Sequence, residues 1–298
     1  MKLINPSFEI LEQEPGGLKS IYKQIELAGR TCYKSLDKIT KDSAKGFVDR
    51  MIASQHYAML EHGTVYLAIS HNPFSSIGDS TFRYRDNPYS KVINALPTKP
   101  SITYITTNYR VLVENGWLDD LKYLCEPTEF HEKRVTVRFT TDRGVSHEFV
   151  RHRVFSFAQE STRYCNYSKD KFGNELTFII PSWCTNQDEV SIVPDKYDVD
   201  WNDELIEDFG NEQGSLYIGL ALAENSYLKL LKLGWTPQQA RQILPNALKT
   251  ELVMTGFVSD WQHFFDLRAR GTTGAPHPDA KALAEPLMGE FYKRGYIK

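Results

Sequence analysis

Residues 151–164 carry the strongest signal in this sequence, Arg151-His152-Arg153-Val154-Phe155-Ser156-Phe157-Ala158-Gln159-Glu160-Ser161-Thr162-Arg163-Tyr164. Three arginines and a histidine lie here among aromatic and polar residues, whereas a solvated charged surface usually mixes Lys with Glu. Arg carries a planar guanidinium that can bind phosphate through two hydrogen bonds at once, and loop hydroxyls and amides can add donors. The residue types alone leave three interpretations open: a phosphate-ligand site, an intramolecular salt-bridge cluster, or a basic patch for nucleic acid.

The composition of the whole chain argues against nucleic acid. Of its 298 residues, 41% are hydrophobic and 24% are charged, and the net charge is −3. Nucleic-acid binding needs a broad basic surface, and an acidic chain has no overall attraction for DNA, RNA or anionic lipid. No apolar stretch reaches the ~18–20 residues that span a membrane, and the N-terminus lacks the apolar core of a signal peptide. We therefore expect a cytoplasmic protein that binds neither nucleic acid nor membrane.

Hydrophobic periodicity and turn residues predict an α+β chain without a domain break, so residues 1–298 are expected to form one domain. Strands are predicted over 64–69 and 134–140, where β-branched and aromatic residues concentrate. The stretch 71–100 contains four prolines and is expected to be a loop, and 142–144 is expected to be a turn. Helices are predicted over 18–29, 43–60, 106–115, 146–155, 203–233 and 259–270, and another begins at Thr236-Pro237.

The sequence resembles one enzyme family at four places. Arg151-His152-Arg153, followed after seven residues by Ser161, resembles the signature of the flavin-dependent thymidylate synthases. Residues 56–64, 239–245 and 263–268 resemble further segments of that family in the same order. Together these segments extend over most of the chain, and the length of the central motif makes a chance match improbable.

The resemblance implies a fold and a reaction. It implies a central, mostly antiparallel sheet flanked by helices, in a homotetramer whose active sites are each built from several chains. It implies reductive methylation of dUMP to dTMP, with methylenetetrahydrofolate as carbon donor, NADPH as reductant and bound FAD as hydride source. Relative to compact members, the chain carries an insertion at about 70–133, whose role the resemblance does not give.

The resemblance also assigns roles to residues. Arg268 matches the position that contacts the uracil ring and promotes its ionisation, and it is the catalytic assignment. Arg remains protonated in proteins, so it can stabilise the uracil anion but cannot act as a base. The predicted dUMP contacts are Glu148, Arg151, Gln159, Glu160, Ser161, Thr162, Arg163, Arg241 and Arg268. The predicted FAD contacts are His56, Ala58, Glu61, Arg151, His152, Arg153, Gln159 and His263, and no metal is expected.

Four positions depart from the family pattern. Ala158 stands where relatives often have Asn, and Glu148 stands where Gln is frequent. Phe257 and Ser259 replace an Asn and an Arg that contact flavin in some members, so those contacts cannot be transferred. The substitution at Ala158 keeps open the alternative of a non-catalytic flavin or nucleotide binder.

Two other enzyme classes are less well supported by the sequence. A cysteine-dependent thymidylate synthase needs an activated thiol, and Cys165 lacks any surrounding pattern for that family, so a buried apolar role is expected. His147 and His152 superficially resemble a zinc motif, but zinc ligands on a helix need a spacing of four residues, and theirs is five.

Overall fold

The computed structural model describes residues 1–71, 78–95, 101–169, 173–192 and 201–298. The strands are β1 (Lys2–Ile4), β2 (Ser7–Leu11), β3 (Thr64–His71), β4 (Lys91–Ala95), β5 (Ser101–Asn108), β6 (Arg134–Asp142), β7 (Ser156–Gln159), β8 (Thr177–Ile179), β9 (Val190–Ser191) and β10 (Lys249–Phe257). The helices are α1 (Gly17–Cys32), α2 (Ser43–Ala53), α3 (Gly78–Arg85), α4 (Tyr109–Asn115), α5 (Arg143–Phe149), α6 (Trp201–Lys232), α7 (Pro237–Ala240), α8 (Val258–Phe265) and α9 (Pro278–Lys293). Short 3-10 turns cover Leu36–Lys38, Tyr57–His62, Leu118–Tyr123 and Arg241–Ile243.

The described strands form three sheets. The four-stranded sheet has the order β2-β6-β10-β7, and all of its pairs are antiparallel. A second antiparallel sheet has the order β3-β5-β4. In the third, β1 pairs with β8 in parallel and with β9 antiparallel. The predicted α+β class with antiparallel sheets is confirmed, although the strands are divided among three sheets and do not form a single central one.

The four-stranded sheet is buried on both faces. Successive residues of β10 alternate between two hydrophobic clusters, as expected from the twofold side-chain period of a strand. Val253 joins the cluster that contains α1 and α2, whereas Leu252 and Met254 join the one that contains α8 and α9. The sheet is therefore a layer between two groups of helices, and β7, the start of the 156–164 segment, is its edge strand.

The predicted helices over 106–115 and 146–155 have other bounds in the structure. The prediction of a helix over 106–115 is wrong for its first part, because the Thr- and Ile-rich residues of β5 extend to Asn108. Asn108 then caps α4 by accepting a hydrogen bond from the backbone N–H of Val111 at 3.1 Å. The helix predicted over 146–155 begins earlier, at Arg143, and ends at Phe149.

The other predictions are confirmed to different degrees. The helix over 18–29 is α1, and the strands over 64–69 and 134–140 are β3 and β6. The helix predicted over 43–60 ends at Ala53, and the one over 203–233 is interrupted at Gly210, where φ is 78°. Thr236 caps α7 as predicted, and the last predicted helix is α8 followed by a π-helical turn, Asp266–Arg270.

The predicted loop over 71–100 is confirmed at 86–90 and wrong for the other described residues. It contains the end of β3, helix α3 and strand β4, while residues 72–77 and 96–100 lie outside the described residues. None of the described helices is both long and apolar enough to cross a membrane.

Candidate functional site

Helix α5 is the scaffold of the site. Asp142, the last residue of β6, caps it by accepting a hydrogen bond from the backbone N–H of Val145 at 2.8 Å. Phe149 fixes the other end by packing against Phe139 of β6, with ring centroids 4.9 Å apart. The Arg151-His152-Arg153 motif follows directly in a tight turn, so its side chains are held at the C-terminal end of α5.

Arg268 is fixed by two residues of this helix end. Its Nε–H donates to His152 Nε2 at 3.0 Å, its Nη1 donates to Glu148 Oε2 at 2.8 Å, and its Nη2 donates to the Glu148 carbonyl at 2.7 Å. The π-helical turn that carries Arg268 ends at Gly271, whose φ is 68°. The structure thus brings Arg268 together with two other predicted site residues, Glu148 and His152, which precede it by about 120 positions.

His152 is a neutral hydrogen-bond acceptor in this arrangement. Burial is the main cause that lowers the pKa of His152 to about 4, and the nearby charges of Arg268 and His263 act in the same direction, while Glu148 opposes them. Because Nε2 accepts from Arg268, the ring must carry its proton on Nδ1 near neutral pH. His152 therefore orients the guanidinium without adding a second positive charge.

Three cationic or aromatic side chains surround this cluster and face solvent. Arg151 is 69% exposed and pairs with Glu148 at 3.0 Å. Arg153 is exposed as well. His263 is exposed, with its ring centroid 6.2 Å from that of His152. All three were predicted to contact FAD, and the structure leaves them accessible to a ligand.

The loop of residues 159–163, called the nucleotide loop below, leads away from β7. Gln159 donates to Ser146 Oγ at 2.8 Å and to Thr250 Oγ1 at 3.3 Å, which ties the loop to α5 and β10. Ser161 Oγ accepts from the backbone N–H of Arg163 at 3.3 Å. The Arg163 side chain is exposed.

Glu160, which was predicted to contact dUMP, turns its side chain into the molecule. Glu160 is 1% exposed, and its carboxylate accepts hydrogen bonds from Lys249 at 2.9 Å and from Tyr167 at 3.0 Å. The twofold alternation of β7 continues into this residue and turns the side chain inward. A dUMP contact by Glu160 stays a prediction, and it would have to come from the backbone.

A groove at the N-terminal end of α5 contains a residue that the sequence prediction missed. Arg241 donates to Thr162 Oγ1 at 3.4 Å, and both residues line the groove together with Arg143. The Arg143 Nη1 atom is buried and has no hydrogen-bond partner within the described residues. Arg143 had been assigned only to a turn, although its position directly after the Asp142 cap already placed it at this end of α5.

The predicted flavin segment, residues 56–61, lies beside Tyr33 at the C-terminal end of α1. His56 Nδ1 is 2.8 Å from the Tyr33 hydroxyl, and the Tyr33 ring packs near Tyr164 with centroids 5.9 Å apart. Ala58 is exposed. Glu61 is partly buried and forms an ion pair with Arg110. Tyr33, which had no assigned role, thus connects the flavin segment to the central motif.

Three of the positions that depart from the family pattern have side chains that are buried or hydrogen-bonded within the chain. Ala158 is 1% exposed and belongs to the hydrophobic core, so its side chain does not face a ligand within one chain. Phe257 is buried at the end of β10, and Ser259 donates to Glu132 at 2.5 Å.

Within the described residues, two observations bear on the competing enzyme classes. Cys165 is 2% exposed, as expected for an apolar role. In the part of the chain that the structure describes, no group of three His, Cys, Asp or Glu side chains could hold a metal ion.

The comparisons with known proteins agree with these observations. The family model described as thymidylate synthase complementing protein matches residues 105–294. The probable flavin-dependent thymidylate synthase of Paramecium bursaria Chlorella virus 1 is 29% identical over 163 residues, which cover 54% of this chain and 69% of that protein. The flavin-dependent thymidylate synthase of Thermococcus onnurineus is 32% identical over 156 residues, covering 52% of this chain and 53% of that protein.

Solved structures with similarity over the whole chain are more distant. The UMP/dUMP methylase PolB from Streptomyces cacaoi, bound with 5-Br dUMP, is 15% identical, with 98% of this chain and 93% of that chain covered and a TM-score of 0.43. Thymidylate Synthase X from Helicobacter pylori, with FAD and dUMP, is 14% identical, with 97% and 96% covered and a TM-score of 0.40. The family model covers more than half of the chain and includes helix α5 with the residues at both of its ends. The chain therefore belongs to the thymidylate synthase complementing protein family, which is the family of the flavin-dependent thymidylate synthases.

Proposed function

We propose that this protein converts dUMP to dTMP, using methylenetetrahydrofolate as carbon donor, NADPH as reductant and FAD as cofactor. The observation that carries the proposal is the guanidinium of Arg268, which is held in one orientation by His152 and Glu148. A fixed cation of this kind stabilises negative charge that develops on a bound pyrimidine ring. An electron-rich ring can then attack the one-carbon donor without a cysteine adduct.

The residues around Arg268 fit a flavin dinucleotide. Arg151, Arg153 and His263 are exposed and offer cationic and N–H donors to an anionic, planar group. His56 and the backbone near Ala58 add further contacts from the flavin segment. When bound, FAD supplies the hydride that completes the methyl group, while the protein orients the reactants and fixes their charges.

The groove at the other end of α5 suits the phosphate of dUMP. Arg143 and Arg241 form no ion pair within the described residues, and Thr162 of the nucleotide loop accepts a hydrogen bond from Arg241 in the same groove. Two guanidinium groups without a carboxylate partner are a favourable environment for a phosphate dianion. Ser161 and Arg163 can add donors from the loop itself.

The two groups of residues lie at opposite ends of α5. A helix of seven residues is about 10 Å long, so the ring-binding and phosphate-binding groups of one chain are well separated. On the resemblance to the family, we also propose a homotetramer whose active sites combine residues of several chains. We further propose that residues 1–298 act as one cytoplasmic domain, with residues 70–133 as a family-variable insertion.

The rival interpretation, a non-catalytic flavin or nucleotide binder, rested on Ala158. The Ala158 side chain lies in the core. The absence of an Asn side chain at this position therefore removes no ligand contact within the chain. The deciding experiment is release of tritium from 5-tritiated dUMP, with methylenetetrahydrofolate and NADPH, in the presence and absence of FAD. Release that requires both FAD and NADPH supports the proposal, whereas binding of FAD and dUMP without release would establish the binding protein.

A further inference from the structure

Beneath the nucleotide loop lies a cluster of four charged side chains, called the ion cluster below. It consists of Lys34, Glu160, Lys249 and Glu251. Lys249 Nζ is 2.9 Å from a carboxylate oxygen of each glutamate, and Lys34 Nζ is 2.6 Å from Glu251 and 3.5 Å from Glu160. The two positive and two negative charges balance. None of the assignments made from the sequence gave a role to Lys34, Lys249 or Glu251.

The ion cluster is connected directly to the backbone of the nucleotide loop. Glu160 is itself a loop residue, and its backbone N–H donates to the Glu251 carbonyl at 2.8 Å. The next residue, Ser161, donates to the carbonyl of Cys32, two positions before Lys34, at 3.2 Å. The loop is thus held on β10 and on the C-terminal end of α1 by both main-chain and charged contacts.

The burial of the cluster indicates what these charges can contribute. Glu160 is 1% exposed, Lys249 12%, Glu251 15% and Lys34 21%. Buried ion pairs recover little more than the cost of removing charges from water, but breaking one leaves an uncompensated charge. Such a network therefore contributes more to fixing one arrangement than to overall stability.

The backbone fixes the position of Lys34 at the C-terminal end of α1. Lys34 has a φ of 48°, in the left-handed region. The backbone N–H of Lys34 donates to the Thr31 carbonyl at 3.2 Å, and that of Ser35 donates to the Arg30 carbonyl at 2.9 Å, which is a common way for a helix to end. Lys34 is therefore held next to the two glutamates by the end of the helix.

We infer that Lys34 and Lys249, together with Glu251, are positioning residues that hold Glu160 and so fix the nucleotide loop in the conformation that binds the phosphate monoester of dUMP. This inference rests on the proposed function, because it takes the loop to be part of the dUMP site. The cluster acts through the loop backbone and touches no substrate. Its effect is therefore expected on nucleotide affinity, with little effect on turnover at saturating dUMP.

The test uses the variant Lys34→Met in the full-length, flavin-loaded protein, with dUMP binding measured by calorimetry alongside kcat and KM. One lysine then faces two carboxylates, and the loop should shift. We expect the Kd and KM for dUMP to rise roughly tenfold, with kcat changed by less than about twofold and with unchanged flavin content. The matched control is Lys45→Met, an exposed lysine paired with Asp49, which should bind dUMP as the unaltered protein does.

A second variant separates loss of charge balance from general damage. The double variant Lys34→Met/Glu251→Gln leaves Lys249 and Glu160 as a balanced pair, so most of the affinity for dUMP should return. Normal dUMP binding by Lys34→Met, a parallel fall of kcat and flavin content, or no recovery in the double variant would each overturn the inference. Failure of the unaltered protein to bind dUMP at all would instead refute the proposed function.

Discussion

Replacing Arg268 by Met tests the central contact of the site through the titration of His152. In the structure, the Nε–H of Arg268 donates to His152 Nε2 at 3.0 Å. Protonation of that nitrogen would remove the acceptor and bring two positive charges together. The pKa of His152 is therefore about 4, for which burial is the main cause and Arg268 the second. Without the guanidinium, the burial remains but the repulsion is lost.

The size of the change follows from the geometry. The guanidinium charge lies about 4 Å from the imidazole, and at an effective dielectric constant of about 40, suited to a partly exposed site, the repulsion is about 2 kcal/mol. This corresponds to about 1.5 pH units. Glu148, released from Arg268, also favours the protonated ring. We therefore expect the pKa of His152 to rise from about 4 to roughly 5.5–6 in the variant.

The assay is a pH titration of the histidine ring signals by NMR. Arg153→Met serves as the control, because Arg153 is a neighbouring exposed arginine whose charge is not among the causes that lower the pKa of His152. The same Arg268→Met protein should retain FAD but lose most dTMP formation. If His152 still titrated near 4 in the variant, the contact with Arg268 would not control its protonation, and the account of this site given above would be wrong.

Three further predictions follow from single groups. Arg143→Met should raise the KM for dUMP roughly tenfold with little change in kcat, because a phosphate contact is lost; an unchanged KM in steady-state assays would remove Arg143 from the site. Cys165→Ala and Cys32→Ala should retain activity in tritium release, since burial raises the pKa of Cys32 to about 11 and Cys165 is buried; a loss of activity would revive the cysteine-dependent route. His152 and His62 have folded pKa values of about 4 and about 3, both lowered chiefly by burial, so the unfolded chain binds more protons below its own histidine pKa of about 6.5. The contribution of these neutral histidines to the free energy of unfolding should then be fully present above about pH 6.5, and it should fall by about 2 kcal/mol per histidine between pH 7 and 5. Urea unfolding at these two pH values measures the change, and equal free energies of unfolding would refute the prediction.

The central motif could be recognised from the sequence because its information is local. Charged and aromatic residues at fixed spacing identify a ligand loop before any fold is known. The same holds for β6, whose alternation predicted a strand correctly. Strand alternation also predicts that the Glu160 side chain points inward, since residues 158 and 160 share one face of an extended chain. Position in a motif and strand alternation thus give different indications for this residue.

Other features depend on contacts between distant parts of the chain. The acceptors of Arg268 lie about 120 residues earlier, and Lys34 reaches Glu251 across 217 positions. No periodicity encodes such pairs. The helix predicted over 106–115 failed for a different reason, because the β-branched residues before Asn108 continue a strand that is stabilised by pairing with both β3 and β4.

The distribution of charge is compatible with the proposed binding of an anionic nucleotide by an acidic protein. The net charge is −3, but the buried glutamates near the nucleotide loop are neutralised by Lys34 and Lys249. At the C-terminal end of α5, Glu148 alone faces both Arg151 and Arg268, which leaves one positive charge uncompensated. At the other end, Arg143 and Arg241 have no carboxylate partner among the described residues. Positive charge therefore remains available at the two places where a pyrimidine anion and a phosphate would lie, and a focused field of this kind does not require a basic protein.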